Sequence, residues 1–459
     1  MRYLLFRIII PTQFHPRNIV SLIIMQENNA IALVDCNNFF VSCERAVNKA
    51  LENRPVVVLS NNDGCIISRS NEVKRLGVQM AVPLFQVREL LEKHNTAVIS
   101  CNHALYRDFS DQIQNILIED LGKNVVELYS IDEAFVDVGA PDKLKYLGHH
   151  VKQIILEKTN IPVSVGVART KTLAKLANHL AKTSIKADGV LDLYNSPYTD
   201  LALQRTDVRE VWGVGSRSAF KLKNHGINTA FELKNTDPEQ IREYLHVFGA
   251  RTVMELNGIK CLPLDITEKD NKSIAHTRTF GHTISNFSEI KNAVFYFTTR
   301  ALEKMRWNNL TTKCVTVFLQ TDRFKPVPYY YSNAFSYHSI YHSDITSEIY
   351  KWISHCLEKT FRPDLQYKRA GIGLSDLAPI GSISHRLYEQ INFERWHKLN
   401  KSIDELNLRY GRDVIKLAAL EDKGVWQSQS THRSNDENHP VGRERLGLGT
   451  TFSKSVRFL

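Results

Sequence analysis

From Ala30 onward, apolar and polar positions fall into blocks that indicate secondary structure. AIALVD (30–35) is an unbroken apolar run closing on an acid, as in a buried strand, and NNFFVSCERAVNKAL (37–51) repeats its apolar residues at helical spacing. RPVVVLS (54–60) reads as another strand. NNDGCIISRSNEVKRLGV (61–78) is polar, basic and broken by glycine, which predicts a small irregular subdomain with a short helix around Glu72 to Leu76. In YRDFSDQIQNILIEDLG (106–122), Phe109, Ile113, Ile116 and Leu117 share one helical face. Helix LKYLGHHVKQIILEKT (144–159), strand PVSVGVA (162–168), helix TKTLAKLANHLAKTS (170–184) and strand GVLDLY (189–194) complete the block. Strands alternating with helices predict an α+β sheet domain, with the helices on one side.

Between these elements, YSIDEAFVDV (129–138) sets Asp132 and Glu133 side by side in an otherwise strand-like run. Neighbouring side chains on a regular strand point to opposite faces, so both acids reach one target only from a bend. The flanks VVELYSI and AFVDV are each long enough for a strand, which places the acids at the rim of a hairpin. If the strand ending in Asp35 shares that sheet, three carboxylates converge. Their repulsion calls for divalent cations, and oxygen-only ligands favour Mg²⁺. Solvated turn acids are the plain alternative.

Past Tyr194 the pattern changes. Residues 195–262 are mostly helical, with VWGVGSRSAFKLKNHGI (211–227) read as helix, tight glycine turn and helix. A linker at 263–274 leads to a second, smaller α+β block at 275–379, where strands such as TKCVTVFLQT and RAGIGLSDL alternate with helices 288–307 and 347–361. The remainder, 380–459, holds one helix, NFERWHKLNKSIDELNLRYG, and a polar end that buries little. Residues 1–29 carry only short apolar runs interrupted by basic residues, too short for a signal peptide or a membrane span. They read as an extension outside the fold, with Met25 as a candidate start.

Composition narrows the function. The 59 Lys plus Arg against 49 Asp plus Glu leave a net +10, which favours a polyanionic partner, nucleic acid before membrane. The seven cysteines are scattered and form no CxxC pair, which argues for a reducing compartment and against a disulfide frame or structural zinc.

VDCNNFF, SNNDGCIISRSNEVKRLGV, SIDEAF, VGVARTKTLAKLANHLAK and VWGVGSRSAFKLKNHGI, in this order and spacing, resemble the Y-family of translesion DNA polymerases, and within it the UmuC branch. The resemblance covers roughly residues 30–420. It implies a right-hand polymerase: palm at 30–58 and 100–194, small fingers at 59–99, a helical thumb with a helix-hairpin-helix at 195–262, and a little finger at 275–379. It implies error-prone, template-directed synthesis on primer-template DNA from dNTPs, in the cytoplasm at the nucleoid, within the SOS response to DNA damage. Two Mg²⁺ ions would be held by Asp35, Asp132, Glu133 and the main-chain carbonyl of Cys36. Phe39 and Phe40 fall in the nucleotide site. Phe40 stands where the family excludes a 2′-hydroxyl with an aromatic ring, and near relatives have Tyr; Phe39 is expected in the core. Lys74 and Lys182 are the expected triphosphate contacts, with Arg69 a weaker candidate.

Gly213 and Gly215 would let backbone N–H groups approach a DNA phosphate, and Arg278 and Lys313 would lie along the duplex. Tyr329 to Tyr331 read as strand core rather than stacking residues. The resemblance further implies a UmuD-like accessory protein and a recombinase filament as partners. A sliding clamp is implied through Leu387 and Tyr388, although Ser384 replaces the usual leading Gln. The family's closing SPxYTT-like string is missing after Trp426. Two other readings stay open: a catalytically idle DNA-binding accessory subunit, and a palm-fold nucleotidyl cyclase.

Overall fold

The computed structural model describes residues 29–139, 144–266, 271–324, 330–380, 393–411, 413–420 and 432. The expectations for the N-terminal extension, for Leu387 and Tyr388, and for the end of the chain after Trp426 lie outside the described residues. The chain divides into two compact units, the first built from residues up to 52 together with 103–266, the second from 53–102 together with the residues from 271 on.

The first unit is built on a five-stranded sheet of β1 (Ala30–Cys36), β5 (Val126–Leu128), β6 (Glu133–Gly139), β7 (Val163–Ala168) and β8 (Val190–Asp192), in the order β5-β6-β1-β7-β8. Central β1 is antiparallel to both neighbours, pairing Leu33 with Phe135 and Gly166, and Asp35 with Glu133 and Ser164. Alternation then sorts the side chains. Ala32, Val34, Val136, Val165 and Val167 meet α4 (His103–Leu121) and α5 (Leu144–Thr159) on one face. Ile31, Leu33, Phe135 and Ala168 meet α6 (Lys171–Thr183) on the other. Helices thus cover both faces, not one as the alternation of elements suggested, because β1 and β7 are apolar on both sides.

Two glycines permit this close cover. A Cβ on Gly148 of α5 would come 2.6 Å from Val190, and one on Gly166 of β7 would come 2.1 Å from the Asn178 main-chain nitrogen of α6. Below this sheet the core continues into α7 (Thr199–Gln204), α8 (Ser216–Asn224), α9 (Ala230–Lys234) and α10 (Pro238–Leu256) through Leu203, Leu222, Leu233, Ile241 and Val253. Only a 3₁₀ turn at Val208–Glu210 precedes the glycine turn, where a full helix was expected. Gly213 has φ +89°, a conformation that other residues reach only with strain.

In the second unit, β2 (Val56–Leu59), expected as a palm strand, pairs instead with β3 (Ile66–Arg69) and, in parallel, with β4 (Ala97–Ser100). Short α2 (Asn71–Arg75) and α3 (Leu84–Lys93) bury Val73, Leu84 and Leu91 on this small sheet. A second sheet has the order β11-β10-β12-β9, from β9 (Ser273–Ile284), β10 (Leu310–Thr321), β11 (Ser332–Ser343) and β12 (Tyr367–Pro379). Helices α11 (Phe287–Trp307) and α12 (Thr346–Thr360) cover one of its faces through Phe297, Leu302, Ile353 and Leu357. Tyr331 packs against this core and donates its hydroxyl to the Thr360 carbonyl at 2.8 Å, as expected of strand core, whereas Tyr330 is 41% exposed and Tyr329 lies outside the described residues. The last described helix is α13 (Phe393–Tyr410).

Candidate active site

The acidic centre grows out of the β1–β6 register. Tyr129 and Ser130 both donate main-chain N–H bonds to the Glu133 carbonyl, closing the hairpin turn between β5 and β6. Asp132 lies in that turn and Glu133 opens β6, so the two acids escape strict strand alternation. Glu133 is cross-strand partner to Asp35, and the Cys36 N–H donates to the Asp132 carbonyl at 2.9 Å. The backbone therefore gathers residues 35, 36, 132 and 133 at one edge of the sheet.

Opposite them lies α6. Its start is fixed by Thr170, whose Oγ1 accepts from the Leu173 N–H, and by buried Glu255, which accepts from the Thr172 N–H at 3.1 Å. Lys171, Lys175, Asn178 and Lys182 recur at i, i+4, i+7 and i+11 and so form one stripe. This stripe meets the acids strand by strand. Lys171 pairs with Glu127 of β5, and Lys175 meets Glu133 of β6 at 2.9 Å. Asn178 donates to the Leu33 and Ser164 carbonyls, and Lys182 meets Asp35 of β1 at 2.6 Å. The Lys175 ammonium also stands 4.9 Å from the Tyr129 ring centre and 5.4 Å from that of Trp212.

Even with these lysines the site is short of positive charge. Burial pushes the Asp35 carboxyl up to about 7; Lys182 pulls it down, while Glu133 and Asp132 push it further up. Asp132 is raised as well, chiefly by burial, against the pull of the Ser130 hydroxyl that donates to it at 2.7 Å. The Cys36 thiol is pushed well above its ordinary range by burial and stays protonated at neutral pH, so only its main chain is available for chemistry. Among the described residues, no group of three His, Cys, Asp or Glu side chains stands ready to hold a metal ion. The expected convergence of three carboxylates is thus a juxtaposition of backbone positions, with two of the side chains drawn to lysines instead. A hard, all-oxygen donor set with excess negative charge still fits Mg²⁺.

Phe40 on α1 (Phe39–Val47) is half-buried and stacks on Tyr106 of α4, with centroids 4.5 Å apart and planes at 15°. The Tyr106 hydroxyl donates to fully buried Glu44 at 2.7 Å. Phe39 is core, as expected. Lys74 is an exposed residue of α2 in the second unit, and Arg69 donates to the Val78 carbonyl there.

Gly215 precedes the first turn of α8 and an added Cβ there would meet nothing, which leaves the helix N-terminus open. Arg278 pairs with buried Ala370, so it shares the helix-covered face of the second sheet, contrary to the expectation for a DNA contact. Arg369, beside Phe318 and Thr277, occupies the open face instead. Lys313 is half-buried at the irregularity between Thr312 and Cys314 in the β10–β11 pairing. Sequence reasoning passed over Lys171, Lys175, Tyr106 and Arg369; the i, i+4, i+11 lysine spacing was the one signal for the first two.

Comparison with known proteins joins this geometry to a family. Family models described as the impB/mucB/samB family and its C-terminal domain match residues 34–179 and 271–387, and a domain of unknown function matches 397–436. The chain is 36% identical to protein UmuC of Salmonella typhimurium, over 84% of this chain and 92% of that one. The chain belongs to the impB/mucB/samB family, the UmuC-like branch of the Y-family DNA polymerases. This UmuC-like chain is also 26% identical to DNA polymerase IV of Clostridium kluyveri, over 86% of its own length and 98% of that protein's. A solved chimera of the Y-family polymerases Dbh and Dpo4 superposes with a TM-score of 0.62 at 22% identity, covering 76% of this chain and 99% of the chimera, a likeness of fold. Among the described residues no helix is long and apolar enough to cross a membrane.

Proposed function

We propose that the chain carries out error-prone, template-directed DNA synthesis past lesions, transferring a nucleotide from dNTP to a primer 3′-hydroxyl at the β1–β6 edge. The observation that carries this reading is the register that sets Asp35 against Glu133 while Cys36 bonds Asp132. Asp35, Asp132, Glu133 and the Cys36 carbonyl would hold two Mg²⁺ ions. When bound, the ions make the attacking hydroxyl a better nucleophile and stabilise the departing pyrophosphate.

The protein's own groups do the rest. Desolvated Asp35 and Asp132 supply the negative charge that makes cation entry favourable, and Lys182 and Lys175 neutralise part of that charge beforehand. With Asp35 engaged by a cation, Lys182 would be free of it, and its ammonium would serve the triphosphate oxygens as charge develops on the leaving group. Lys74 is the second candidate for that role. The Phe40 ring, backed by Tyr106, blocks a 2′-hydroxyl. The N-terminus of α8 at Gly213 and Gly215 binds a DNA phosphate, with Arg369 rather than Arg278 serving the open sheet face. A UmuD-like accessory protein, a recombinase filament and a sliding clamp are the proposed partners, in the cytoplasm at the nucleoid.

Primer extension on damaged and undamaged templates, with the accessory partners supplied, tests the reading. Wild type should extend only with Mg²⁺, and Asp132→Asn should not extend at all. Undiminished extension by Asp132→Asn would overturn the assignment.

A further inference from the structure

Helix α13 is docked by its polar side. Asn400 accepts from Thr346 Oγ1 at 3.3 Å, and His397 meets Asp344. Asp404 accepts two bonds from the Arg306 guanidinium, at 2.6 and 2.9 Å. Asn407 exchanges two 2.8 Å hydrogen bonds with the main chain of Ile415. Positions 397, 400, 404 and 407 form one stripe, and Arg306, Asp344, Asn400 and Asn407 are buried beneath it. Charge-assisted bonds therefore hold this helix to its domain.

Its apolar residues stand elsewhere. Trp396, Leu399, Ile403, Leu406 and Tyr410 form a second stripe, about 100° round the helix at 3.6 residues per turn. Four of its five residues are open to solvent, Trp396 42%, Leu399 47%, Leu406 39% and Tyr410 61% exposed, with Ile403 half-buried between them. Large apolar side chains in a contiguous exposed line mark an interaction face. Their 3-4-3-4 spacing is the heptad seam that receives another helix, and it is narrower than the broad apolar face of a membrane-surface helix. Along its outer side run exposed Arg395 and Arg409, with exposed Lys398 further round, and the Arg409 guanidinium lies 5.4 Å from the Tyr410 ring centre. Of the acids on this helix from residue 395 on, Asp404 is turned inward to Arg306, which leaves Glu405 alone among the basic residues.

We propose that the α13 stripe is a docking site for an acidic amphipathic helix of a partner protein. A second copy would bring the same basic rim against itself in a chain of net charge +10. The proposal stands apart from the polymerase chemistry.

The test uses the full chain and two labelled three-heptad peptides with Leu at a and d, one bearing Glu at e and g and the other Lys, followed by fluorescence anisotropy. The acidic peptide should bind saturably and more weakly as salt rises; the basic peptide should not bind. Leu399→Glu with Leu406→Glu should weaken binding at least tenfold with unchanged circular dichroism and melting. Arg395→Glu with Lys398→Glu and Arg409→Glu should switch the preference to the basic peptide, an outcome that misfolding does not produce. Equal binding by wild type and the Leu399→Glu/Leu406→Glu variant, or no binding of the acidic peptide, would overturn the proposal. So would three results that assign the stripe to another occupant. These are a dimer in sedimentation that the variant abolishes, flotation with anionic vesicles that the variant abolishes, or peptide binding that appears only after residues 433–459 are removed.

Discussion

Substituting Gly166 with Ala probes whether the seat of α6 governs the chemistry. The new Cβ would lie 2.1 Å from the Asn178 nitrogen, 2.4 Å from the Ala174 oxygen and 2.7 Å from the Asn178 Cα, all main-chain atoms that no rotamer change can move. Restoring a separation of 3.0 Å, the least that real Cβ atoms show, lifts the helix by about 1 Å. Overpacking of this kind costs about 1–3 kcal/mol. The lift also stretches the Asn178 bonds to Leu33 and Ser164, at about 1 kcal/mol each. A total loss of about 3–5 kcal/mol is expected by chemical denaturation. A displacement of about 1 Å at Lys175 and Lys182 should lower primer extension about 100-fold per folded molecule. Gly148→Ala is the control. It brings a Cβ to 2.6 Å from the Val190 side chain, a milder clash on the opposite face of the sheet, and should lower stability while leaving extension by the folded fraction within a few-fold. Wild-type extension by Gly166→Ala, or equal losses of extension for the two variants, would refute the idea that α6 positions the site.

Four further outcomes follow from the same geometry. Asp35 titrates near 7 in the folded chain against 3.8 as its ordinary value, so the folded state holds the proton more tightly. The stability tied to it is fully present below about pH 4 and is lost as pH rises through 7, by up to about 4 kcal/mol in metal-free protein. Asp35→Asn should therefore melt higher than wild type at pH 8 in chelator and about equally at pH 4; no gain at pH 8 would remove burial as the dominant influence on Asp35. Lys182→Ala should lower kcat/KM for dNTP about 100-fold and raise the Asp35 titration further, read by steady-state extension and by the pH profile. Phe40→Ala should increase ribonucleotide incorporation. Tyr106→Phe, which keeps the stack but takes the hydroxyl from buried Glu44, should cost about 1–3 kcal/mol in stability while largely preserving sugar discrimination.

The elements of the first unit were legible because their apolar periods are long and clean: β1, α4, α5, β7 and α6 all stand where the spacing puts them. The bend at Asp132 was legible too, since two adjacent acids between strand-like flanks have few other uses. What the periods do not encode is partnership. VVVL is equally apolar whichever sheet it joins, so β2 was assigned to the larger sheet although it pairs with β3 and β4. Arg278 is a milder case: it shares parity with Ile274 and Phe280, two large apolar residues of the same strand, and that alternation already pointed it toward the helices.

Lys171 and Lys175 of α6, and the acid that Lys182 meets, were missed for a deeper reason. A lysine on a helix is ordinarily a solvated charge, and only the register of three separate strands reveals an acid opposite each of Lys171, Lys175 and Lys182. Three carboxylates spread over neighbouring strands cannot be buried without counter-charge. A single straight helix crossing the strands supplies it at the same spacing. That arrangement also limits how the site can change. Because one rigid element carries all three cations, a shift that frees Lys182 from Asp35 also strains Lys175 on Glu133 unless only the side chain moves. The long, flexible lysine stem makes the side-chain route the easier one, so Lys182 would turn away from Asp35 when a cation is bound there while α6 stays in its seat on Gly166.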